Sequence, residues 1–131
     1  MSEKAFNSPQ AQEVIAYVCK EYGDELEFLW QKFPKNAIWR NKDNQKWYAA
    51  LLVIPRNKLV GQTSEEEVEI IDIRFQKNEA LEFAESNDNV FPGYHMNKNN
   101  WITIVLDGSM ETEQILRLLD HSYEIAARQK R

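Results

Sequence analysis

The 131-residue chain holds one cysteine, two histidines, four glycines and four prolines, and each scarcity narrows what the protein can be. Cys19 has no partner for an intrachain disulfide, whereas a secreted domain of this size more often carries an even set. His95 and His121 stand in different elements, and with no Cys-x-x-Cys or His-Glu-x-x-His spacing a zinc site lacks its ligands. The glycine-rich phosphate loop and the Gly-x-Ser-x-Gly elbow are absent too. The longest apolar run, Trp47 to Ile54, is far shorter than the roughly 20 residues that span a bilayer, and the N-terminus shows no basic-then-apolar secretion pattern. There is no internal repeat and no low-complexity linker. The expectation is a cytoplasmic protein that is not an enzyme and has no cofactor, no metal, no catalytic residue set and no membrane partner.

What is present suits one domain over residues 1–131. Hydrophobic residues make up 43% and charged residues 28%, and 4 Trp, 5 Tyr and 6 Phe supply the bulk for a core. Ser8, Pro9 and Gly23 predict a helix from about Pro9 to Tyr22. Its stripe is Ala11, Val14, Ile15, Val18, Cys19 and Tyr22, which makes Cys19 a buried apolar residue rather than a reactive thiol. The period then changes. Leu26 to Trp30, Ala37 to Arg40, Trp47 to Ile54, Val68 to Phe75 and Trp101 to Leu106 read as five strands, with Asn41 to Gln45 closing a hairpin and Pro55 to Glu66 a longer loop.

In the fourth of these strands Glu69, Ile71, Ile73 and Phe75 face one way and Val68, Ile70, Asp72 and Arg74 the other, which predicts a sheet covered on one side. A short helix after Asn78 is expected to turn Ala80, Leu81 and Ala84 inward. A last helix, capped by Ser109 and favoured by Glu111 and Glu113 near its positive end, runs through Ile115, Leu118, Leu119, Ser122, Tyr123 and Ala126 to a basic tail, Arg128 to Arg131. The fold class is α+β: a two-layer sandwich of a mainly antiparallel sheet and flanking helices.

A net charge of −5 conceals a division. Residues 31–61 carry Lys32, Lys35, Arg40, Lys42, Lys46, Arg56 and Lys58 against Asp43 alone, a balance of +6, and residues 62–90 balance at −7. A clustered basic hairpin can hold phosphate on an acidic protein, because charges more than roughly 8 Å apart are heavily screened at physiological salt. The same side chains also serve simply as solvated strand edges. Trp39, Trp47 and Tyr48 lie among them and either stack on bases or fill the core. The run Glu65-Glu66-Glu67, with Glu69 and Asp72, reads as a solvated stretch ahead of a strand, since successive strand residues alternate faces and do not converge on one cation.

A second polar cluster, Tyr94, His95, Asn97, Lys98 and Trp101, comes after a Pro-Gly turn. It offers contacts to a phosphate and a base or to a small anion; the alternative is that Tyr94 and Trp101 pack while His95 and Asn97 bond the turn backbone. The passage Phe91 to Gly108, with its Pro92-Gly93-Tyr94-His95-Met96-Asn97-Lys98 run leading into Trp101-Ile102, resembles the MmcQ/YjbR family of small bacterial proteins. The likeness continues through Asp120-His121-Ser122-Tyr123-Glu124, and upstream through Asp24 to Trp30 and Lys46 to Ala49. It implies a frataxin-like fold and DNA binding through a double-wing arrangement of strands, with no catalytic residues.

The leading expectation is a DNA-binding protein. Arg40, Lys42, Lys46, Arg56 and Lys58 contact phosphates, with His95, Asn97 and Lys98 as further contacts. About five neutralised phosphates predict a log–log salt slope near −4.5 on duplex. The alternative is a protein- or small-ligand-binding module without catalysis, and the oppositely charged segments also permit self-association.

Overall fold

The first helix ends where its punctuation places it. The Ser8 hydroxyl accepts the Ala11 N–H at 3.1 Å, Pro9 occupies the first turn, and Gly23 leaves in the left-handed region at φ 69°. This α1 spans Pro9–Tyr22; the computed structural model describes residues 6–129. Along the chain come β1 (Ala37–Arg40), β2 (Trp47–Pro55), a 3₁₀ turn (Arg56–Lys58), β3 (Glu67–Arg74), α2 (Ala80–Ser86), β4 (Phe91–Pro92), β5 (Trp101–Val105) and α3 (Thr112–Ala127). The five strands form one antiparallel sheet in the order β1-β2-β3-β5-β4.

Helices cover one face. There Ala37, Trp39, Leu51, Ile71, Ile73, Ile102 and Ile104 pack with Phe6, Val14, Val18, Ile115 and Leu119 in a single buried cluster. The other face was expected to be partly wet, yet Ile38, Ala50, Leu52, Ile70 and Val105 are buried there beneath Leu59, Tyr94 and Met96. Loops rather than helices shield it. The alternation along β3 is as read, so Ile70 and Asp72 lie under those loops.

Several expectations are corrected. Leu26 to Trp30 is not a strand: Glu27 makes one bridge to Ile38, then the backbone turns, with Phe33 N–H donating to Trp30 C=O at 3.1 Å. Pro34 could not extend a ladder in any case. The fifth strand is instead the two-residue β4. Helix α3 is capped at Glu111 rather than Ser109, whose N–H and hydroxyl both bond the Asp107 carboxylate. Leu81 is exposed while Ala80 and Ala84 are buried. Cys19 is exposed, because it lies 100° round the helix from Val18 and beyond the buried stripe. Of the basic tail, Arg128 pairs with Glu124 at 3.7 Å, and residues 130–131 lie outside the described residues.

One irregularity shapes the far end of the sheet. Trp39 pairs with Ala49 but Arg40 pairs with Trp47, so Tyr48 is an extra residue, a β-bulge in β2. Tyr48 joins the helix-covered core, and Trp47 packs on the opposite face. The β2–β3 register stops at Ala49–Ile73. Beyond it, side chains replace the ladder: Arg74 Nε donates to Trp47 C=O at 2.9 Å, and the buried Ser122 hydroxyl donates to Tyr48 C=O at 2.5 Å while accepting Arg74 N–H at 3.0 Å. The same end is sealed by Tyr48 O–H donating to Asp24 at 2.7 Å and by Tyr123 stacked on Tyr22 at 4.0 Å.

Candidate functional site

β2 separates the cations that the sequence places in one segment. Arg40, Lys42 and Lys46 lie at its start, and Arg56 and Lys58 come after its end, roughly 30 Å away at about 3.3 Å per residue. Three of the five are neutralised. Arg40 pairs with Glu27 at 3.0 Å, Lys42 with Asp24 at 3.3 Å and Arg56 with Asp107 at 3.0 Å. Lys42 also donates to the Gly23 C=O at 3.2 Å, and Asn44 Nδ2 to the Ala126 C=O at 2.7 Å, so the β1–β2 turn clamps the C-terminal ends of α1 and α3. Lys46 and Lys58 join no ion pair among the described residues, but they belong to opposite ends of the strand.

The turn after β4 holds the second set. Its first residue must be glycine, because a Cβ on Gly93 would lie 2.8 Å from Trp101 Cβ and 2.9 Å from the Trp101 carbonyl. Lys98 Nζ donates back to Gly93 C=O at 3.1 Å, and the Asn97 side chain accepts the Asn99 N–H at 2.9 Å, so both are engaged with the turn itself. His95 sits at φ 59° with its ring exposed and 4.0 Å from that of Tyr94. Trp101 is buried under the Arg74 guanidinium at 4.9 Å. Burial lowers the pKa of that guanidinium.

Between this turn and the loop before β1 lies a cavity of about 350 Å³ on the loop-covered face. Ala50 and Leu52 of β2 form its floor, Trp30 and Phe33 one wall, and His95 and Met96 the other, with Trp47 set edge-on to Trp30 at 5.9 Å. Trp30 keeps 38% and Phe33 58% of its surface in solvent, alongside Leu29. An exposed apolar cluster of this kind marks a contact site more often than isolated surface residues do. The bulge at Tyr48 is what delivers Trp47 to the cleft.

The sequence on either side of the lining residues is one-sided in charge, although Glu27, paired with Arg40, bridges to Ile38 beside the floor. The chain segments that build the cleft, residues 28–36, 44–52 and 91–101, contain Lys32, Lys35, Lys46, Lys98 and His95 and not one Asp or Glu. Among the described residues no three His, Cys, Asp or Glu gather to hold a metal ion. Sequence reasoning missed Trp30 and Phe33 as site residues because it read Trp30 as the end of a strand. The signal was there in Trp30-Gln31-Lys32-Phe33-Pro34-Lys35, two aromatics interleaved with two lysines around a proline.

Beneath the turn lies a second missed residue. Asp72 is fully buried; the Thr103 hydroxyl donates to its Oδ1, and Tyr94 N–H donates to Thr103 Oγ1 at 2.8 Å. Asp72 Oδ2 has no hydrogen-bond partner. Burial pushes its carboxyl up to about 8, against the opposing pull of Thr103, the Tyr94 amide and Lys98.

Comparison with known proteins agrees with this architecture. The YjbR family model matches residues 21–125. YyaQ of Bacillus subtilis (strain 168), named an uncharacterized protein, is 29% identical over 114 residues, 87% of this chain and 95% of its own. YjbR of Escherichia coli (strain K12), also named uncharacterized, is 43% identical over 42 residues, 32% of this chain and 36% of its own. A crystal structure of a protein from Pseudomonas syringae shares the fold with a TM-score of 0.82 at 35% identity, covering 88% of this chain and 97% of that one. A Deinococcus radiodurans protein shares the fold alone, with a TM-score of 0.65 at 20% identity, covering 90% of this chain and 79% of that one.

Proposed function

The chain belongs to the YjbR family, and we propose that it binds a single strand of nucleic acid, DNA in the first instance, in the cleft beside Trp30 and Phe33 without catalysing a reaction. The observation that carries this is the coincidence of exposed aromatic rings with chain segments that carry lysines and no Asp or Glu, in a protein whose net charge is −5. Strand binding needs these two ingredients: π-faces for bases, worth roughly 1–3 kcal/mol per stacked base, and cations that track the backbone. Trp30 and Phe33 supply the rings, and Lys32, Lys35 and Lys98 the positive charge. Duplex gripped by a five-cation ridge is less well supported, because Arg40, Lys42 and Arg56 are each held by a carboxylate.

The test is tryptophan fluorescence on titration with a thymidine oligonucleotide at several salt concentrations, with duplex of equal length as comparison. About three neutralised phosphates give a log–log slope near −2 on a single strand, against −4.5 on duplex for the ridge. No spectral response to the oligonucleotide at low salt refutes the proposal. Leu29, exposed beside Trp30, favours a second reading in which the cleft takes an apolar side chain of a protein partner. In that case binding is indifferent to salt and to nucleic acid.

A further inference from the structure

We propose that Asp72, Thr103 and the Tyr94 amide form a proton-dependent latch that holds the 93–98 turn, one wall of the cleft, against the sheet. The proposal rests on the cleft reading only for its effect on binding; the latch itself is testable without nucleic acid.

The geometry runs across the sheet in one row. Ala50, Asp72 and Thr103 are successive register partners on β2, β3 and β5, so the buried carboxyl is the cross-strand neighbour of a residue on the cleft floor. The turn is fastened to this row at Tyr94, whose N–H uses Thr103 Oγ1 and thereby directs the Thr103 hydroxyl proton to Asp72 Oδ1. Oδ2 has no hydrogen-bond partner. A protonated carboxyl tolerates that site, since it carries no net charge there. An ionised one does not, because a charged oxygen without a partner is the costliest polar group to keep in a dry interior.

Relief must come from the surroundings, and the surroundings are few. β2 offers Ala50 and Leu52 and β5 offers Thr103 and Val105, none of them charged. On β3 itself Arg74, two residues on, lies over the Trp101 ring. The turn supplies Lys98, whose charge acts on Asp72 and whose ammonium is engaged by the Gly93 carbonyl. Loss of the proton therefore draws Lys98 from Gly93 or admits water between Tyr94 and Thr103. Either event removes an anchor of the turn, so the wall is shut at and below neutral pH and loosens in mild alkali.

The experiment is an NMR titration of the protein from pH 6 to 9.5, with Asp72→Asn and Thr103→Val as variants. In the wild type the Tyr94 and Thr103 amides should titrate together near pH 8. Tyr94 amide exchange should rise at least tenfold beyond the ordinary base-catalysed increase. Asp72→Asn should abolish both changes, and Thr103→Val should give fast Tyr94 exchange at every pH. The wild-type Asp72 carboxyl carbon decides the matter without any variant: an ionised carboxyl at pH 6.5 overturns the latch. So does a titration that persists in Asp72→Asn, which would belong to another group. If the amides titrate as stated and the thymidine oligonucleotide binds at neither pH 6.5 nor pH 9, the latch stands and the cleft reading fails.

Discussion

Replacing Ser122 with alanine removes one oxygen and should cost the fold about 2–4 kcal/mol. The bulge at Tyr48 ends the β2–β3 ladder, leaving the Tyr48 carbonyl and the Arg74 N–H with no backbone partner across the strands. The Ser122 hydroxyl, itself fully buried, serves both. Alanine cannot replace it, and two orphaned buried groups, each at about 1–2 kcal/mol in the lower part of the usual desolvation range, give that cost. On a domain stability of about 5–15 kcal/mol this is a large fraction, and it corresponds to a fall in Tm of roughly 8–16 °C. Urea denaturation followed by far-ultraviolet circular dichroism measures it, with the exposed Ser86→Ala on α2 as a control expected to change by less than about 0.5 kcal/mol. The loss should also loosen Trp47, because the bulge that turns it to the cleft is pinned from the other side by this hydroxyl. A Ser122→Ala protein within about 0.5 kcal/mol of wild type would refute the idea that side chains replace the ladder here.

Phe33→Ala and Trp30→Ala should each weaken oligonucleotide binding by roughly 5- to 150-fold, the equivalent of one lost base stack, with little change in stability; equal affinity would remove the aromatic platform. Gly93→Ala should lower stability by more than about 1 kcal/mol in urea denaturation and shift the Tyr94 and Met96 amide signals, because the new methyl meets the Trp101 backbone rather than a flexible side chain. Asp72 makes stability depend on pH with a definite sign. Its folded pKa, about 8, lies above the ordinary aspartate value of 3.8, so the folded state holds the proton more tightly and stability present below about pH 4 is lost as pH rises toward 8. Asp72→Asn should flatten that decline, a difference of up to about 4 kcal/mol between pH 5 and pH 8, read by urea midpoints at those two values.

The sequence makes the elements legible where their physics is local. Ser8 with Pro9 and Gly23 bounds α1 because capping and backbone permissiveness need no distant partner. The alternation in β3 names Asp72 as facing away from the helices, but not as buried, since its cover comes from a turn more than twenty residues later in the chain. Leu26 to Trp30 has strand composition and fails as a strand because only Glu27 bridges to Ile38, and its end, Leu29 and Trp30, turns outward. The bulge is silent in the sequence, as nothing in Trp47-Tyr48-Ala49 announces the extra residue. The scatter of the basic residues was hidden for a related reason. Counting lysines and arginines along the chain is blind to a nine-residue strand that carries them apart and to carboxylates from other elements that pair with them.

Whether local or total charge governs binding can be separated with two reversals. Lys35→Glu and Lys58→Glu each take the net charge from −5 to −7, so any effect of the whole-molecule potential is the same in both. Their positions differ. Lys35 lies in the loop that presents Trp30 and Phe33, and Lys58 in the 3₁₀ turn beyond the end of β2, near the exposed Glu65 to Glu67. From Ala50 on the cleft floor to Pro55, the register partner of Glu67, is roughly 17 Å at about 3.3 Å per residue, about two Debye lengths at physiological salt. At that distance the acidic end neither cancels the lysine rim nor adds to it. Lys35→Glu should therefore lower oligonucleotide affinity at least tenfold near 0.15 M salt, and Lys58→Glu should leave it within about twofold. At 0.01 M salt, where the Debye length reaches about 30 Å, the two variants should converge. Equal losses at physiological salt would mean that the lysines of the cleft segments have no special role, and the cleft would lose its claim to nucleic acid.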